Sequence, residues 1–241
     1  MNDGHSLNIR SLQRPKAICL DLDNTIYPYA PSHEAGMQAV FSKIKEFFSI
    51  TDGQEKSYFK EARQQIKLQL GSTGASHSRL LYFQRMMELM GLKTQMALAL
   101  DLEQTYWREY IRKSCLFNGV KDFLYTLRRN EIVTAIVSDL TTQIQFRKII
   151  YFGIDGLIDH VVTSEEAGAD KPDPKIFNLA IKKLAISPNE IWMIGDELEK
   201  DIMGATRCGM VGILKTDTSR HDRSLSFQNF NTLSSLPFLS D

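Results

Sequence analysis

The sequence predicts an α/β protein built on a doubly wound parallel sheet with a helical cap domain inserted into it. Five short apolar runs are each followed by a loop and a helical pattern, which is the rhythm of a sheet covered by crossover helices. A long interval between the first and second runs carries only helix-period stripes. Two of the runs end in aspartate, at the strand ends where open α/β sheets place their ligands.

The runs cover residues 16–21, 132–138, 157–163, 191–195 and 210–214. They are rich in β-branched residues, and four of them are nearly continuous rather than alternating, so they read as strands buried on both faces. Between them, residues 119–129, 142–152, 174–184 and 198–208 have the length and pattern of crossover helices. Within the long interval, Met37, Val40, Phe41, Ile44, Phe47 and Phe48 recur at helical spacing, as do Tyr58, Phe59, Ala62, Ile66 and Leu70. Leu80, Phe83, Met87 and Met90 form a third stripe, and Leu100, Tyr106, Trp107 and Tyr110 a fourth, with Gly71, Gly74 and Gly91 as breaks. Residues 30–115 therefore read as a four-helix insertion, a cap whose Met and aromatic side chains form its own core, and residues 15–29 with 116–241 as the α/β core. Residues 1–14 are polar, lack an apolar secretory segment and read as a flexible arm. The Ser-, Asn- and Thr-rich stretch 216–241 reads as a loosely packed tail with a short final element.

Composition narrows the function. The 241 residues carry 29 basic and 29 acidic side chains, so no overall basic field attracts a nucleic-acid polymer or an anionic membrane. No run approaches the roughly 20 apolar residues that span a bilayer. Cys19, Cys115 and Cys208 are far apart and lack C-x-x-C spacing, which points to a reducing, cytoplasmic setting without a disulfide framework.

The chemistry gathers at strand ends. Asp21 and Asp23 sit two residues apart where the first strand stops, a spacing that turns both acids to one side. Taken alone, the pair reads equally as ligands and as turn or cap residues. The run at 191–195 ends in Gly195-Asp196, with Asp201 five residues on, and carboxylates from two neighbouring strand ends make a hard oxygen site suited to Mg²⁺. Asp201 also suits a helix N-terminus. The second strand ends in Ser138, followed by Asp139, Thr141 and Thr142, a hydroxyl-rich end that suits a phosphate oxygen, and Lys171 precedes a proline-started helix that holds its ammonium rigidly.

With these residues in hand, the chain resembles the haloacid dehalogenase-like hydrolase superfamily. Its four motifs occur in order as Asp21-x-Asp23-x-Thr25, Ser138, Lys171 and Gly195-Asp196-x-x-x-x-Asp201, and they span nearly the whole chain. The insertion resembles the family's C1 cap, and Phe117-Asn118-Gly119 stands where such members show a Pro-Gly turn, Asn118 being the departure. The resemblance implies a phosphatase in which Asp21 is the nucleophile, Asp23 the general acid and base, and Lys171 the neutralising cation. It further implies that Thr25 holds the loop and, with Ser138 and Asp139, makes up the phosphate-binding set. Mg²⁺ is expected on Asp21, the Asp23 carbonyl and Asp196, with Asp201 at or just behind the ion. The dehalogenases that resemble this core lack the second acid that Asp23 supplies; a phosphomutase or a non-catalytic binding protein remains the alternative.

The string Asp21-Leu-Asp-Asn-Thr-Ile-Tyr-Pro28 resembles nucleotidase-like members, so the expected partner is a small phosphorylated metabolite such as a nucleoside monophosphate or sugar phosphate. In the cap, Arg79, His77 and Arg85 stand as leaving-group contacts against a plainer reading as a solvated helix face and a loop histidine. His33, His160 and His221 show no metal-ligand spacing.

Overall fold

The computed structural model describes residues 12–48, 50, 53–216, 225–237 and 239; the expected arm is therefore described only from residue 12, and His221 lies outside the described residues. From β1 (Ala17–Leu20) the chain runs into α1 (Tyr29–Phe47), α2 (Gln54–Leu70), α3 (Arg79–Leu89) and α4 (Met96–Lys113). It continues through α5 (Val120–Arg129), β2 (Val133–Ser138), α6 (Thr142–Phe152), β3 (His160–Thr163), α7 (Ser164–Ala167) and α8 (Pro174–Leu184). It closes with β4 (Ile191–Gly195), a π-helical turn at Leu198–Met203, α9 (Gly204–Arg207), β5 (Val211–Lys215), β6 (Ser226–Phe227) and α10 (Phe230–Ser234). Two compact units result, one of residues up to Tyr27 and from Leu116 onward, the other Pro28–Cys115.

In the first unit the strands form a six-stranded sheet in the order β3-β2-β1-β4-β5-β6, every pair parallel. Ala17, Cys19, Ala135, Val137, Ile191 and Met193 pack with Ile176, Phe177, Ala180 and Leu184 of α8 in one cluster. Their alternates Ile18, Leu20, Ile136 and Ile194 project to the other face by the pleat and are also buried. Burial on both faces explains why these runs are continuous in sequence. The chain winds from β1 outward through β2 to β3, then crosses back to β4 beside β1. That reversal is the topological switch point, and it opens a crevice at the carboxyl ends of β1 and β4.

Three details depart from the sequence reading. The helix expected over 198–208 begins as a π turn, whose wider winding brings the Asp201 carboxylate back to the backbone N–H of Glu197 at 3.0 Å. The tail is packed where it is described: Leu225, Phe227, Phe230, Leu233, Leu236 and Leu239 are buried, and the Phe230 ring lies 5.4 Å from Phe123 and 5.2 Å from Phe227. Its polar composition hid a sparse apolar set that adds a sixth strand. The short α7 also went unread.

The second unit is four helices with a 3₁₀ turn at Gly74–His77. Its core is Met37, Val40, Ile44, Phe59, Ala62, Ile66, Tyr82, Phe83, Met86, Met87, Leu102, Tyr106, Trp107 and Tyr110, much as the stripes indicate. Phe47 and Leu100, counted in those stripes, are exposed; Ala99 and Leu102 hold the buried line of α4 instead. The close packing of α1 on α4 depends on Gly36, where an added Cβ would meet the Tyr106 ring at 2.8 Å and its carbonyl oxygen at 2.9 Å. Gly36→Ala is expected to destabilise the protein by about 1–3 kcal/mol, because the carbonyl cannot give way. Denaturant unfolding with an unchanged midpoint would contradict this account of the packing.

Candidate active site

The register of the sheet aligns the functional side chains before any of them makes a contact. Leu20 pairs with Ile136 on one side and Ile194 on the other, so Asp21 leaves β1 level with Val137 and Gly195. The Asp21 backbone N–H bonds to the Ile194 carbonyl at 2.9 Å, which holds it at the switch point.

The centre of the site is an ammonium and three carboxylates. Lys171 Nζ donates to Asp21 Oδ1 at 2.6 Å, to Asp201 Oδ1 at 2.7 Å and to the Val137 carbonyl at 3.2 Å. Those three acceptors use the three N–H bonds of the ammonium. Thr25, wholly buried, places its hydroxyl 3.0 Å from Asp21 Oδ2 and 3.1 Å from Asp196 Oδ1, sharing one proton between them. Asp201 is used on both oxygens, by Lys171 and by the Glu197 N–H. Gly195 makes room for it, since a Cβ there would fall 2.3 Å from Asp201 Oδ2.

This cluster has more negative than positive charge. Burial pushes the Asp21 carboxyl up to about 8; Lys171 pulls against that, and Asp201 and Asp23 add to it. Asp196 is pushed up to about 6, first by burial and then by Asp201, with Thr25 opposing. Burial works against the charge of Lys171, yet Asp201, Asp21 and Asp139 together hold it well above the usual lysine range. One oxygen from each of Asp21, Asp196 and Asp201 lies within 4.8 Å of the others. An all-oxygen set with surplus negative charge fits a hard divalent cation.

Around this centre the other expected residues take distinct places. Asp23 turns to Lys148, whose Nζ lies 2.8 and 3.2 Å from its two oxygens, and it also accepts from the Tyr27 hydroxyl. Ser138 is buried and accepts from Gln145 Nε2 at 2.8 Å, while the same amide nitrogen reaches the Asp139 carbonyl at 2.9 Å. The Asp139 carboxylate, expected in the phosphate-binding set, accepts from the backbone N–H of Lys171 at 2.9 Å. That bond makes the Asp139 side chain a support for the lysine's loop. Thr142 pairs its hydroxyl with that of Thr163 at 2.7 Å.

Sequence reading passed over Lys148, Gln145 and Tyr27. A signal existed for the first two: on α6 the buried positions are Ile144, Gln145, Lys148, Ile149 and Phe152, so a lysine and a glutamine interrupt the apolar stripe. Lys148 is only 1% exposed and lies 5.7 Å from the Tyr27 ring centroid. Burying such a charge requires a partner. Of the cap candidates, Arg85 is partly exposed and bonds Gln65 and Glu88, whereas Arg79 is buried, contrary to its reading as part of a solvated face.

Comparison with known proteins agrees with this geometry. The family model described as haloacid dehalogenase-like hydrolase matches residues 15–209. A ribulose-1,5-bisphosphate 5-phosphatase from Halopiger xanaduensis is 36% identical over 87% of this chain and 88% of its own. A glyceraldehyde 3-phosphate phosphatase from Methanopyrus kandleri is 31% identical over 82% of each chain. Among solved structures, a 2-haloacid dehalogenase from Pseudomonas syringae superposes with a TM-score of 0.75 at 18% identity, covering 92% of this chain and 97% of that one. With the matched motifs gathered at the switch point of a parallel sheet, the chain belongs to the haloacid dehalogenase-like hydrolase family.

Proposed function

We propose that the protein is a phosphatase that hydrolyses a small phosphorylated metabolite through an aspartyl-phosphate on Asp21. The observation that carries this reading is the placement of Asp21, fixed between Lys171 and Thr25 beside Asp196 at the switch point. Its two oxygens are both anchored, so the carboxylate is presented in one orientation, which lowers the entropic cost of attack. As the Asp21 oxygen bonds to phosphorus, the bond from phosphorus to the substrate oxygen breaks and Asp23 protonates the departing alcohol. Asp23 then takes a proton from water, which attacks phosphorus and releases inorganic phosphate with the free Asp21 carboxylate. Lys171 neutralises charge on the nucleophile and on the transferred group, the chief demand of phosphoryl transfer. Asp201 and Asp139 hold Lys171 for this task, and Ser138 is proposed to bind the phosphoryl group.

The acids present fit Mg²⁺, which Asp21, Asp196 and the Asp23 carbonyl would hold with Asp201 behind them. When bound it supplies positive charge to the phosphoryl oxygens. Two relatives are named for phosphatase activity on ribulose-1,5-bisphosphate and on glyceraldehyde 3-phosphate, which supports a short sugar phosphate as substrate ahead of a nucleoside monophosphate. No helix of the described residues is long and apolar enough to cross a membrane, and we place the protein in the cytoplasm.

Phosphate release from a panel of sugar phosphates, nucleotides and phosphoglycolate tests the reaction class. Asp21→Asn is expected to abolish turnover. Asp23→Asn is expected to cost roughly 10²–10⁴-fold in kcat on esters with poor leaving groups and far less on nitrophenyl phosphate, which departs without a proton. Equal losses on both esters would remove Asp23 from proton transfer.

A second expectation concerns the cation. Because Asp21 and Asp196 are raised to about 8 and about 6, the metal-free folded protein keeps protons that the unfolded chain releases above 3.8. Their contribution to stability is full below that value and is lost as pH rises through the two folded-state values. A divalent cation competes with those protons, so the Mg²⁺-induced rise in Tm should grow from about pH 5 to about pH 8. Asp196→Asn should remove most of that rise. A Tm indifferent to Mg²⁺ across this range would contradict the assigned ligands.

A further inference from the structure

Among the described residues of the helical unit, one buried cation has no carboxylate paired with it. Arg79 is 8% exposed and begins α3. One terminal nitrogen donates to the His77 carbonyl and the other to the Tyr29 hydroxyl, both at 2.9 Å. The guanidinium carbon lies 5.5 Å from the Tyr82 ring, 5.1 Å from Tyr106 and 5.5 Å from Trp107. These contacts hold the group but do not neutralise it, and among the described residues no carboxylate is paired with it.

The position makes the charge more costly. A helix N-terminus carries a partial positive charge and disfavours a cation in its first turn. Burial, with Arg79 and Arg63 adding to it, pushes the neighbouring His33 down to about 4, so that ring adds no second cation near neutral pH. Two buried polar atoms of this turn also lack partners, Arg79 Nε and Ser76 Oγ. A buried charge removed from water is costly unless it is paired, and an orphaned buried donor adds to that cost. A surplus of positive charge, two unused donors and a helix N-terminus meet in one segment, and these are features that favour an anion.

We propose that the turn from Ser76 to Arg79 is a binding site for a small oxyanion, a phosphate or a carboxylate. The oxygens of such a group would supply the acceptors that Nε and Oγ lack and the charge that balances the guanidinium. Two sources share this chemistry: a second anionic group on the substrate, remote from the phosphoryl group that is cleaved, and a free anion acting alone. The first rests on the phosphatase reading; the site itself does not.

Thermal unfolding of the full chain in chelator, where the acidic cluster of the core has no cation to draw anions, reads the site without catalysis. Sulfate is expected to raise the Tm of the wild type by several degrees over chloride at matched ionic strength, and to raise that of Arg79→Met far less. In chloride alone Arg79→Met should be at least as stable as the wild type, because an apolar chain of similar length replaces an unbalanced charge. Equal sulfate shifts in both proteins overturn the proposal, as does a large loss of Tm for Arg79→Met in chloride. Should that variant fail to fold, Ser76→Ala serves in its place, and a wild type with no more sulfate response than Ser76→Ala overturns the proposal equally.

Kinetics with Mg²⁺ then identify the source. The wild type is expected to prefer fructose 1,6-bisphosphate over fructose 6-phosphate, and 3-phosphoglycerate over glycerol 3-phosphate, by about 10- to 100-fold in kcat/KM, with the ratio collapsing in Arg79→Met. That result, with the sulfate shift, assigns the site to the substrate; a sulfate shift without the preference assigns it to a free anion. Absence of phosphate release from every ester tested would overturn the phosphatase reading and leave the sulfate experiment to judge the site.

Discussion

Lys171 Nζ ties together Asp21, Asp201 and the Val137 carbonyl, three groups that come from β1, the turn after β4 and β2. Each acceptor is placed by a different part of the fold, so the bond set exists only when the central strands have closed in register and the π turn has wound Asp201 inward. The lysine is in turn held from outside by Asp139, whose carboxylate bonds its backbone N–H. Buried ion pairs of this kind add little net stability, because desolvation offsets most of the Coulomb attraction. In the proposed mechanism the arrangement keeps a positive charge where phosphoryl transfer gathers negative charge, and the apolar packing of the sheet bears its cost.

The core was readable because its constraints are local and periodic. A strand buried on both faces must be continuously apolar, as at 191–195, and the acids of the site follow directly where such strands stop, as Asp21 and Asp196 do. What escaped has no such local pattern. Ser226–Phe227 pairs with β5 through two residues inside a polar tail. Lys148 looks in sequence like any helix lysine, and only the burial of its flanking positions shows that it faces inward to Asp23. Asp139 follows Ser138 directly and was grouped with it, yet the neighbouring side chains go to different tasks, one bonded to Gln145 and the other to the Lys171 backbone.

The fold alone leaves the reaction undetermined, since a dehalogenase superposes on this chain as a shared fold. In the proposed reaction the chemistry turns on Asp23 and on what holds it. A carboxylate meant to move protons must be kept close to the reacting group without being consumed by the cluster around Lys171. Here Lys148 and Tyr27 hold Asp23 from α6 and from the loop after β1, separate from the groups that bind Asp21. The two acids of one short motif are thus served by two different lysines. Asp21 is anchored within a dense ring of charge, as the proposed attack requires, and Asp23 stays partly exposed, at 28% of its side chain, as its proposed proton transfers require.

The two units treat buried cations in opposite ways. In the α/β unit Lys171 and Lys148 each face a carboxylate, so removing one partner would strand a charge and the sites resist change. In the helical unit Arg79 is surrounded by rings and neutral acceptors, and among the described residues no carboxylate is paired with it. Rings attract a cation through their quadrupole but supply no net negative charge, and each is worth about 0.5–2 kcal/mol, less than the desolvation of the guanidinium. A core of Leu and Met would have packed these four helices at lower cost. The proposed oxyanion site accounts for the retention of an unbalanced arginine among Tyr82, Tyr106 and Trp107 in terms of recognition, where stability alone does not.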